Sequence, residues 1–231
     1  MKILTFALVT SLWVSALNSS PNESIYQPSH LLLSSELTQN DQNLLILYGG
    51  QKTRTPLVQW YLEELGVPYQ YVELDISKDE NHQAEFLSIN PMGKVPAIKM
   101  GSFTLWESGA ILLYLSEKYG QDDNSLENRS TINQWILFAN ATLSPSLFVE
   151  EQRQREMPKL LTALNKILTE QSFLVGDQLT AADVAVASYL YYAQKMINLD
   201  YSAYPAIVDY LQRMTSRRAF QKTLGKRFEN N

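Results

Sequence analysis

The sequence predicts an α/β domain followed by an all-helical domain. In the first part of the chain, short apolar runs typical of strands alternate with segments whose apolar residues recur at helical spacing. Beyond the polar stretch 121–125, every periodic segment has helical spacing. A chain of 231 residues can hold two small domains. We therefore expect an α/β domain at 43–120, a linker at 121–128 and a helical domain at 129–231.

The first half of the α/β domain has the order strand, helix, strand. Residues 44–48 form a short apolar run ended by two glycines, as expected of a buried strand. Pro56 suits a first helical turn, and apolar residues follow at helical spacing until Gly66. Residues 69–74 alternate apolar and polar side chains, which predicts a second strand, and 81–88 predicts a short helical piece.

The second half has the order strand, strand, helix. Residues 95–99 and 102–105 flank a Met-Gly turn and predict a hairpin. An amphipathic pattern over 106–118 predicts the helix that follows. The βαβ and ββα halves together predict a small mixed sheet covered by helices.

The helical domain is predicted from four segments with apolar residues at helical spacing. These segments are 130–143, 152–169, 181–196 and 205–216. Before the third segment, Thr180 and Asp183 have the spacing of a capping box, and Leu179 and Val184 that of a hydrophobic staple. We interpret the stretch 176–183 as a device that starts a helix.

Residues 1–42 precede the predicted domains. Lys2 and the uncharged, mostly apolar stretch that follows it have the length and small-residue exit of a secretory signal, with cleavage expected near Ala16. The alternative is a disordered leader, because residues 18–43 are rich in Ser, Asn and Gln. An exported and a cytoplasmic location both stay open, and membrane contact is expected only if the leader is retained.

The composition excludes several classes of function. Nineteen Lys and Arg against 24 Asp and Glu give a net charge of -5 without a basic run, which argues against nucleic-acid binding. The chain has no cysteine, so disulfides, thiolate metal sites and cysteine nucleophiles are excluded. Its two histidines lack metal-binding spacing, and we expect no metal.

Three motifs in order resemble the soluble glutathione S-transferases. They are WYLEELGVPYQYVEL at 60–74, NPMGKVPAI at 90–98 with WESGAILLYLSEKYG at 106–120, and GDQLTAADVAVASYL at 176–190. The resemblance covers residues 44–225 and is nearest to bacterial enzymes of the theta-like or chi-like type. It implies a thioredoxin-like domain followed by a helical domain, glutathione as co-substrate, a homodimer and a cytoplasmic location.

The resemblance also assigns glutathione-binding residues. It implies a cis peptide bond before Pro96 and pairing of the Val95 backbone with the cysteinyl part of glutathione, the alternative being an ordinary edge-strand proline. Ser108 would bind the γ-glutamyl carboxylate and Glu107 the neighbouring amino group, unless the two only begin a helix. Lys94 would hold the glycyl carboxylate or stay solvated.

The group that activates the thiol should follow the first strand. Thr53 aligns best with the Ser of the Ser-Arg type, and its hydroxyl could donate a hydrogen bond to the thiolate. Arg54 would add positive potential or replace that bond. The alternative is that Thr53 caps the helix.

The function that the resemblance implies is conjugation of glutathione to small hydrophobic electrophiles, in detoxification or stress response, with a possible peroxidase-type side activity. The missing cysteine argues against thiol transfer through a protein mixed disulfide. A non-catalytic glutathione-binding or protein-interaction module is the alternative. Four aromatic residues are candidates for the wall of the second-substrate pocket, or else belong to the core: Trp135, Phe138, Phe148 and Tyr192.

Overall fold

The computed structural model describes residues 44–50, 52–120 and 125–228. The leader at 1–42 and the first four residues of the predicted linker, 121–124, lie outside the described residues. The α/β domain contains β1 (Leu45–Gly49), α1 (Thr55–Leu65), β2 (Tyr69–Glu73), two 3-10 turns (Ile76–Lys78 and Glu80–His82), α2 (Ala84–Leu87), β3 (Ala97–Met100), β4 (Phe103–Trp106) and α3 (Ser108–Tyr119).

The four strands form one mixed sheet in the order β2-β1-β3-β4. Strand β1 pairs with β2 in parallel and with β3 in antiparallel orientation, and β3 pairs with β4 in antiparallel orientation. Tyr48 is opposite Ala97, and Ala97 is opposite Trp106. The end of β1, the start of β3 and the end of β4 therefore lie at the same end of the sheet, so the loops there meet.

The helical domain follows as predicted. Its first three elements follow one another without a gap, but the middle one is π-helical. Its elements are α4 (Leu126–Leu137), a π-helical segment (Phe138–Leu143), α5 (Ser144–Phe148), α6 (Glu150–Arg155), α7 (Met157–Glu170), α8 (Ala181–Met196), α9 (Pro205–Thr215), α10 (Arg218–Lys222) and a 3-10 turn (Gly225–Phe228). The fold class predicted from the sequence, a mixed-sheet domain and then a helical domain, is confirmed.

Two helix boundaries differ from the sequence prediction. Helix α4 begins at Leu126 rather than at residue 130, because the Ser125 hydroxyl accepts a hydrogen bond from the Asn128 amide at 3.2 Å and starts the helix earlier. The predicted helix 152–169 is two helices that meet at Glu156. Pro158 lies in the first turn of α7, where its missing N–H is tolerated, and it would break the interior of one longer helix.

Helix α1 joins the sheet to the helical domain. Its Trp60 ring is fully buried and packs edge to face on Phe220, with ring centroids 5.0 Å apart. Arg217 donates to both carboxylate oxygens of Glu64, at 2.7 and 2.8 Å, and Glu64 also accepts from the indole N–H of Trp60 at 2.8 Å. Such bidentate pairs have defined geometry, so the middle and the end of α1 are held in place against the C-terminal helices.

The predicted capping box of α8 is present. Thr180 Oγ1 accepts from the Ala182 amide at 3.2 Å, and Asp183 Oδ2 accepts from the Thr180 amide at 3.0 Å. Asp183 Oδ1 also accepts from the Leu174 amide at 2.9 Å and the Tyr210 hydroxyl at 3.0 Å. The Asp183 side chain is fully buried, and burial raises its pKa to about 6 against the opposing effect of these hydrogen bonds.

Candidate functional site

The turn between β1 and α1 is built around a buried threonine. Thr55 is fully buried at the start of α1, and its hydroxyl oxygen lies 3.4 Å from the Gly50 amide nitrogen, which donates to it. A β-carbon added at Gly49 would come within 1.9 Å of the same hydroxyl. The last residue of β1 must therefore be glycine, and this close approach sets the path of the loop that carries Thr53 and Arg54.

The Thr53 hydroxyl is fully used by its own loop. It donates to the Gly50 carbonyl oxygen at 2.5 Å and accepts from the Thr55 amide at 3.1 Å. The Thr55 hydroxyl lies 2.8 Å away and supplies a second donor. Because a hydroxyl has one proton and two lone pairs, no proton is left for a thiolate in this arrangement. Thr53 thus holds its own loop; it is not the N-cap of α1, which is Arg54, and the start of α1 has no side-chain cap hydrogen bond.

Arg54 points across the cleft toward the helical domain. Its side chain is exposed, and its guanidinium carbon lies 5.4 Å from the centre of the Tyr189 ring. Arg54 lowers the pKa of Tyr189 and Glu107 raises it, while burial has the largest effect and raises the pKa overall. The structure therefore brings Arg54, Glu107 and Tyr189 together, although they belong to three separate elements.

The loop before β3 contains the expected cis peptide bond between Val95 and Pro96. The Val95 N–H and C=O enter none of the backbone hydrogen bonds of the described residues. Asn90, which is fully buried, holds the loop by donating to the Lys94 carbonyl oxygen at 2.7 Å and accepting from the Met92 amide at 3.0 Å. The Lys94 side chain itself is exposed.

Helix α3 begins at this end of the sheet without a side-chain cap. Glu107, its N-cap residue, has φ 72° and ψ 120°, a backbone conformation that costs a non-glycine residue on the order of 1–3 kcal/mol. Ser108, at the first helical position, is 3 % exposed. The first turn contains no acidic residue, so its N–H groups present partial positive charge to the cleft. This arrangement suits a carboxylate.

Two residues of the helical domain complete this part of the cleft, and the sequence analysis missed both as site residues. The Tyr189 hydroxyl donates to Asn140 Oδ1 at 2.8 Å, and hydrogen bonding to Ser108 lowers the Tyr189 pKa. Asn140 lies in the π-helical segment, a helix type that is frequent at functional sites. A β-carbon at Gly109 would come within 3.0 Å of Asn140 Nδ2, so glycine allows this close packing.

The four aromatic candidates for the second-substrate wall lie in different settings. Trp135 and Phe138 are half-buried and pack edge to face, with ring centroids 5.5 Å apart. Phe148 is half-buried against the core. Tyr192 is only 4 % exposed and lies under the guanidinium of Arg227, which is 4.6 Å from the ring centre. The Tyr192 ring therefore offers a substrate little surface.

Arg227 is a third residue at the site that the sequence analysis missed. Its guanidinium donates to the Thr53 carbonyl oxygen at 2.6 Å. The two residues are 174 positions apart, so no local pattern could have indicated the contact.

In the described part of the chain, no group of three or more carboxylate or histidine side chains could hold a metal ion. Also within residues 44–50, 52–120 and 125–228, no helix combines the length and the apolar character needed to cross a membrane.

Family comparisons agree with this geometry. The family model for the glutathione S-transferase N-terminal domain matches residues 44–117, and that for the C-terminal domain matches residues 143–218. Together they cover more than half of the chain.

Two relatives come from Escherichia coli strain K12. Disulfide-bond oxidoreductase YfcG is 31% identical over 206 residues, which cover 79% of this chain and 95% of the relative. Glutathione S-transferase GstB is 29% identical over 204 residues, which cover 78% of this chain and 98% of the relative. The similarity thus extends over nearly the whole of both relatives.

Solved structures of similar fold contain glutathione or a derivative. The glutathione transferase URE2P6 from Phanerochaete chrysosporium, solved with oxidized glutathione, has a TM-score of 0.71 at 26% identity and covers 80% of this chain and 96% of its own. Ure2p in complex with S-hexylglutathione has a TM-score of 0.71 at 25% identity, with 78% and 98% covered. With both family models matched in order, the chain belongs to the soluble glutathione S-transferase family.

Proposed function

We propose that the protein binds glutathione at the end of the sheet and activates its thiol for conjugation to small hydrophobic electrophiles. The observation that carries the proposal is the uncapped start of α3 together with the Val95 backbone, whose N–H and C=O have no backbone partner among the described residues. An anionic γ-glutamyl carboxylate matches the N–H groups at Ser108, and an extended peptide matches the Val95 N–H and C=O. These groups fit the γ-glutamyl end and the cysteinyl middle of one small peptide.

The remaining contacts follow from charge. The exposed Glu107 carboxylate would bind the amino group of the γ-glutamyl residue, and the exposed Lys94 ammonium would bind the glycyl carboxylate as a point charge. Pro96 follows Val95 in the same loop through a cis peptide bond. Glutathione is the only co-substrate that this proposal needs, and no residue in it requires a metal.

Arg54 is the residue we propose to stabilise the thiolate. The Thr53 proton is already donated to Gly50, whereas the Arg54 guanidinium is exposed in the cleft and has no carboxylate partner among the described residues. A nearby cation favours the charged form of a thiol and so lowers its pKa. Thr53 would then hold the loop, unless bound glutathione replaces the Gly50 carbonyl as its acceptor.

Calorimetry of glutathione binding to the full chain tests the site. We expect saturable binding, and we expect Ser108→Ala to weaken it about tenfold, typical of losing one hydrogen bond to a charged group. Ser116→Ala, in the same helix but away from its start, is the matched control and should bind as the wild type does. Unchanged affinity in Ser108→Ala would remove Ser108 from the site.

Turnover separates conjugation from binding alone. The wild type should conjugate at least one class among aromatic halides and isothiocyanates, and hydroperoxide reduction would reveal a peroxidase-type side activity. The four aromatic residues proposed for the second-substrate wall can be tested with the electrophile that reacts. Saturable glutathione binding without turnover across all three classes would favour the non-catalytic binding module.

Disulfide exchange is a second candidate function, favoured by the name of the relative YfcG. The missing cysteine excludes only a mixed disulfide with the protein. A bound glutathione thiolate can attack a disulfide, releasing one thiolate and forming a mixed disulfide. A second glutathione then attacks the glutathione sulfur, which yields oxidized glutathione and the second thiol. Coupled oxidation of glutathione by a small disulfide, absent in Arg54→Met, would support this activity.

The homodimer implied by the family resemblance is part of the same proposal. Light scattering at micromolar concentration should give the mass of two chains. A monomer at that concentration would contradict it.

A further inference from the structure

The C-terminal 3-10 turn, Gly225–Phe228, reaches the loop that follows β1. Arg227 Nη1 donates to the Thr53 carbonyl oxygen at 2.6 Å, and Nη2 donates to the Lys52 carbonyl oxygen at 3.4 Å. One planar guanidinium therefore binds two consecutive carbonyl groups of the loop. Only arginine offers two donors in such a fixed fork.

Arg227 itself contacts two aromatic rings. Its guanidinium carbon lies 4.6 Å from the centre of the Tyr192 ring and 5.2 Å from that of Phe228. The Tyr192 ring packs on Phe228 at 6.3 Å between centroids and is almost completely buried. Cation–π contacts of this kind stabilise the cation without neutralising it. The guanidinium thus keeps a defined position and its full charge.

Arg227 and Arg54 are two cations without carboxylate partners among the described residues. The ion pairs of the described residues include neither side chain. The charges of both side chains lower the pKa of Tyr192, so both side chains lie near the same part of α8. Two unpaired positive charges beside one cleft repel each other, and an anion bound between them would relieve that repulsion.

We propose that Arg227 is a positioning residue for thiol activation. It holds the 52–54 loop through two backbone carbonyls, so that Arg54 faces the thiol, and it adds its own positive charge to the potential at the thiolate. Docking of the C-terminal turn then becomes a condition for a competent glutathione site. The inference rests on the proposed function, thiol activation at this cleft.

Three full-length variants test the inference. Arg227→Met removes both donors and the charge while keeping a long apolar side chain. Arg227→Lys keeps the charge but offers a point donor in place of the fork. Lys226→Met is the matched control, because it removes one charge from the same turn at an exposed side chain that makes none of these contacts.

Two readouts distinguish positioning from a merely structural role. Calorimetry gives the glutathione affinity, and the ultraviolet absorbance of the thiolate against pH gives the pKa of the bound thiol. We expect Arg227→Met to weaken binding about tenfold and to raise the thiol pKa by about one unit. In Arg227→Lys, the thiol pKa should return most of the way to the wild-type value, whereas the glutathione affinity should stay low. Lys226→Met should match the wild type in both.

The outcomes separate this inference from the proposed function. Failure of the wild type to bind glutathione overturns the proposed function. Wild-type binding with an unchanged affinity and thiol pKa in folded Arg227→Met overturns only the role of Arg227, and so does an equal effect in Lys226→Met. Circular dichroism reports folding. Where Arg227→Met does not fold, Arg227→Lys decides, because wild-type affinity in that variant contradicts the need for two donors.

Discussion

Helices α3 and α8 begin in opposite ways. At the start of α8, Thr180 and Asp183 satisfy the free backbone N–H groups, and the Asp183 carboxylate is fully buried among four donor groups. At the start of α3, Glu107 has a positive φ and no side chain caps the first turn. Side-chain caps are therefore present at α8 and absent at α3. The N–H groups at the start of α3 are the ones that we propose to bind the ligand carboxylate.

The largest effect should come from removing the carboxylate at α8. We expect Asp183→Ala to lower the free energy of unfolding by about 4 kcal/mol, because the Leu174 and Thr180 amides and the Tyr210 hydroxyl would be buried without an acceptor. Urea unfolding followed by circular dichroism measures it. Asp177→Ala, at an exposed carboxylate nearby, should change stability by less than about 0.5 kcal/mol. A loss below about 1 kcal/mol in Asp183→Ala would show that water can replace the carboxylate.

The pH dependence of stability sharpens the same contrast. Because burial raises the pKa of Asp183 to about 6, the folded state takes up a proton at a higher pH than the unfolded state, whose carboxyl titrates near 3.8. The stability from Asp183 is therefore complete below pH 4 and is lost as pH rises to 6 and above, by about 3 kcal/mol.

The reference for this measurement is Asp183→Asn, whose amide does not titrate. The unfolding free energy of the wild type minus that of the variant should fall between pH 4 and pH 7. A difference that rises over this range would mean that the hydrogen bonds to the carboxylate outweigh the effect of its burial.

The smallest expected effect concerns the strained start of α3. Glycine adopts a positive φ without a steric cost, so Glu107→Gly should raise the free energy of unfolding by about 1 kcal/mol after its greater freedom in the unfolded chain is counted. The same variant should bind glutathione more weakly, because the carboxylate for the amino group is gone. Thermal unfolding and calorimetry on one sample test both.

A second residue with positive φ serves as its control. Asn198 has φ 52°, a conformation that asparagine tolerates, and its side chain is exposed. Asn198→Gly should leave stability within about 0.5 kcal/mol and glutathione affinity unchanged. Equal changes in stability and affinity in the two glycine variants would show that the Glu107 backbone is not specially strained and that the residue has no role in glutathione binding.

Local sequence patterns predicted most of the fold. The strands and the capping box of α8 depend on neighbours within a few positions, so spacing alone indicates them. The cis bond before Pro96 was implied by the family resemblance. The boundaries that differ have equally local causes: Ser125 begins α4 early, and Pro158 separates two helices that share one periodicity. Both causes are visible in the sequence, but helical spacing alone does not indicate them.

The candidate site was predictable only in part. Val95, Pro96, Glu107 and Ser108 lie in short motifs that mark loops at one end of the sheet, and the β3–β4 register brings them together. The role of Thr53 could not be judged from its type, because its one proton could go to a ligand or to the loop. Only the 2.5 Å distance to the Gly50 carbonyl oxygen shows that the loop uses it.

Residue patterns along the chain predict the two-domain fold, exclude cysteine chemistry and contain the motifs typical of the family. Only the tertiary structure shows which polar groups already have hydrogen-bond partners. The Thr53 hydroxyl donates its proton to its own loop, whereas the Arg54 guanidinium contacts the face of the Tyr189 ring. Tyr189 and Arg227 reach the site from the helical domain. The fold and the site differ in the distance along the chain over which the responsible contacts act. Secondary structure follows from neighbours along the chain, whereas a side chain's hydrogen bonds and charge depend on groups up to 174 positions away.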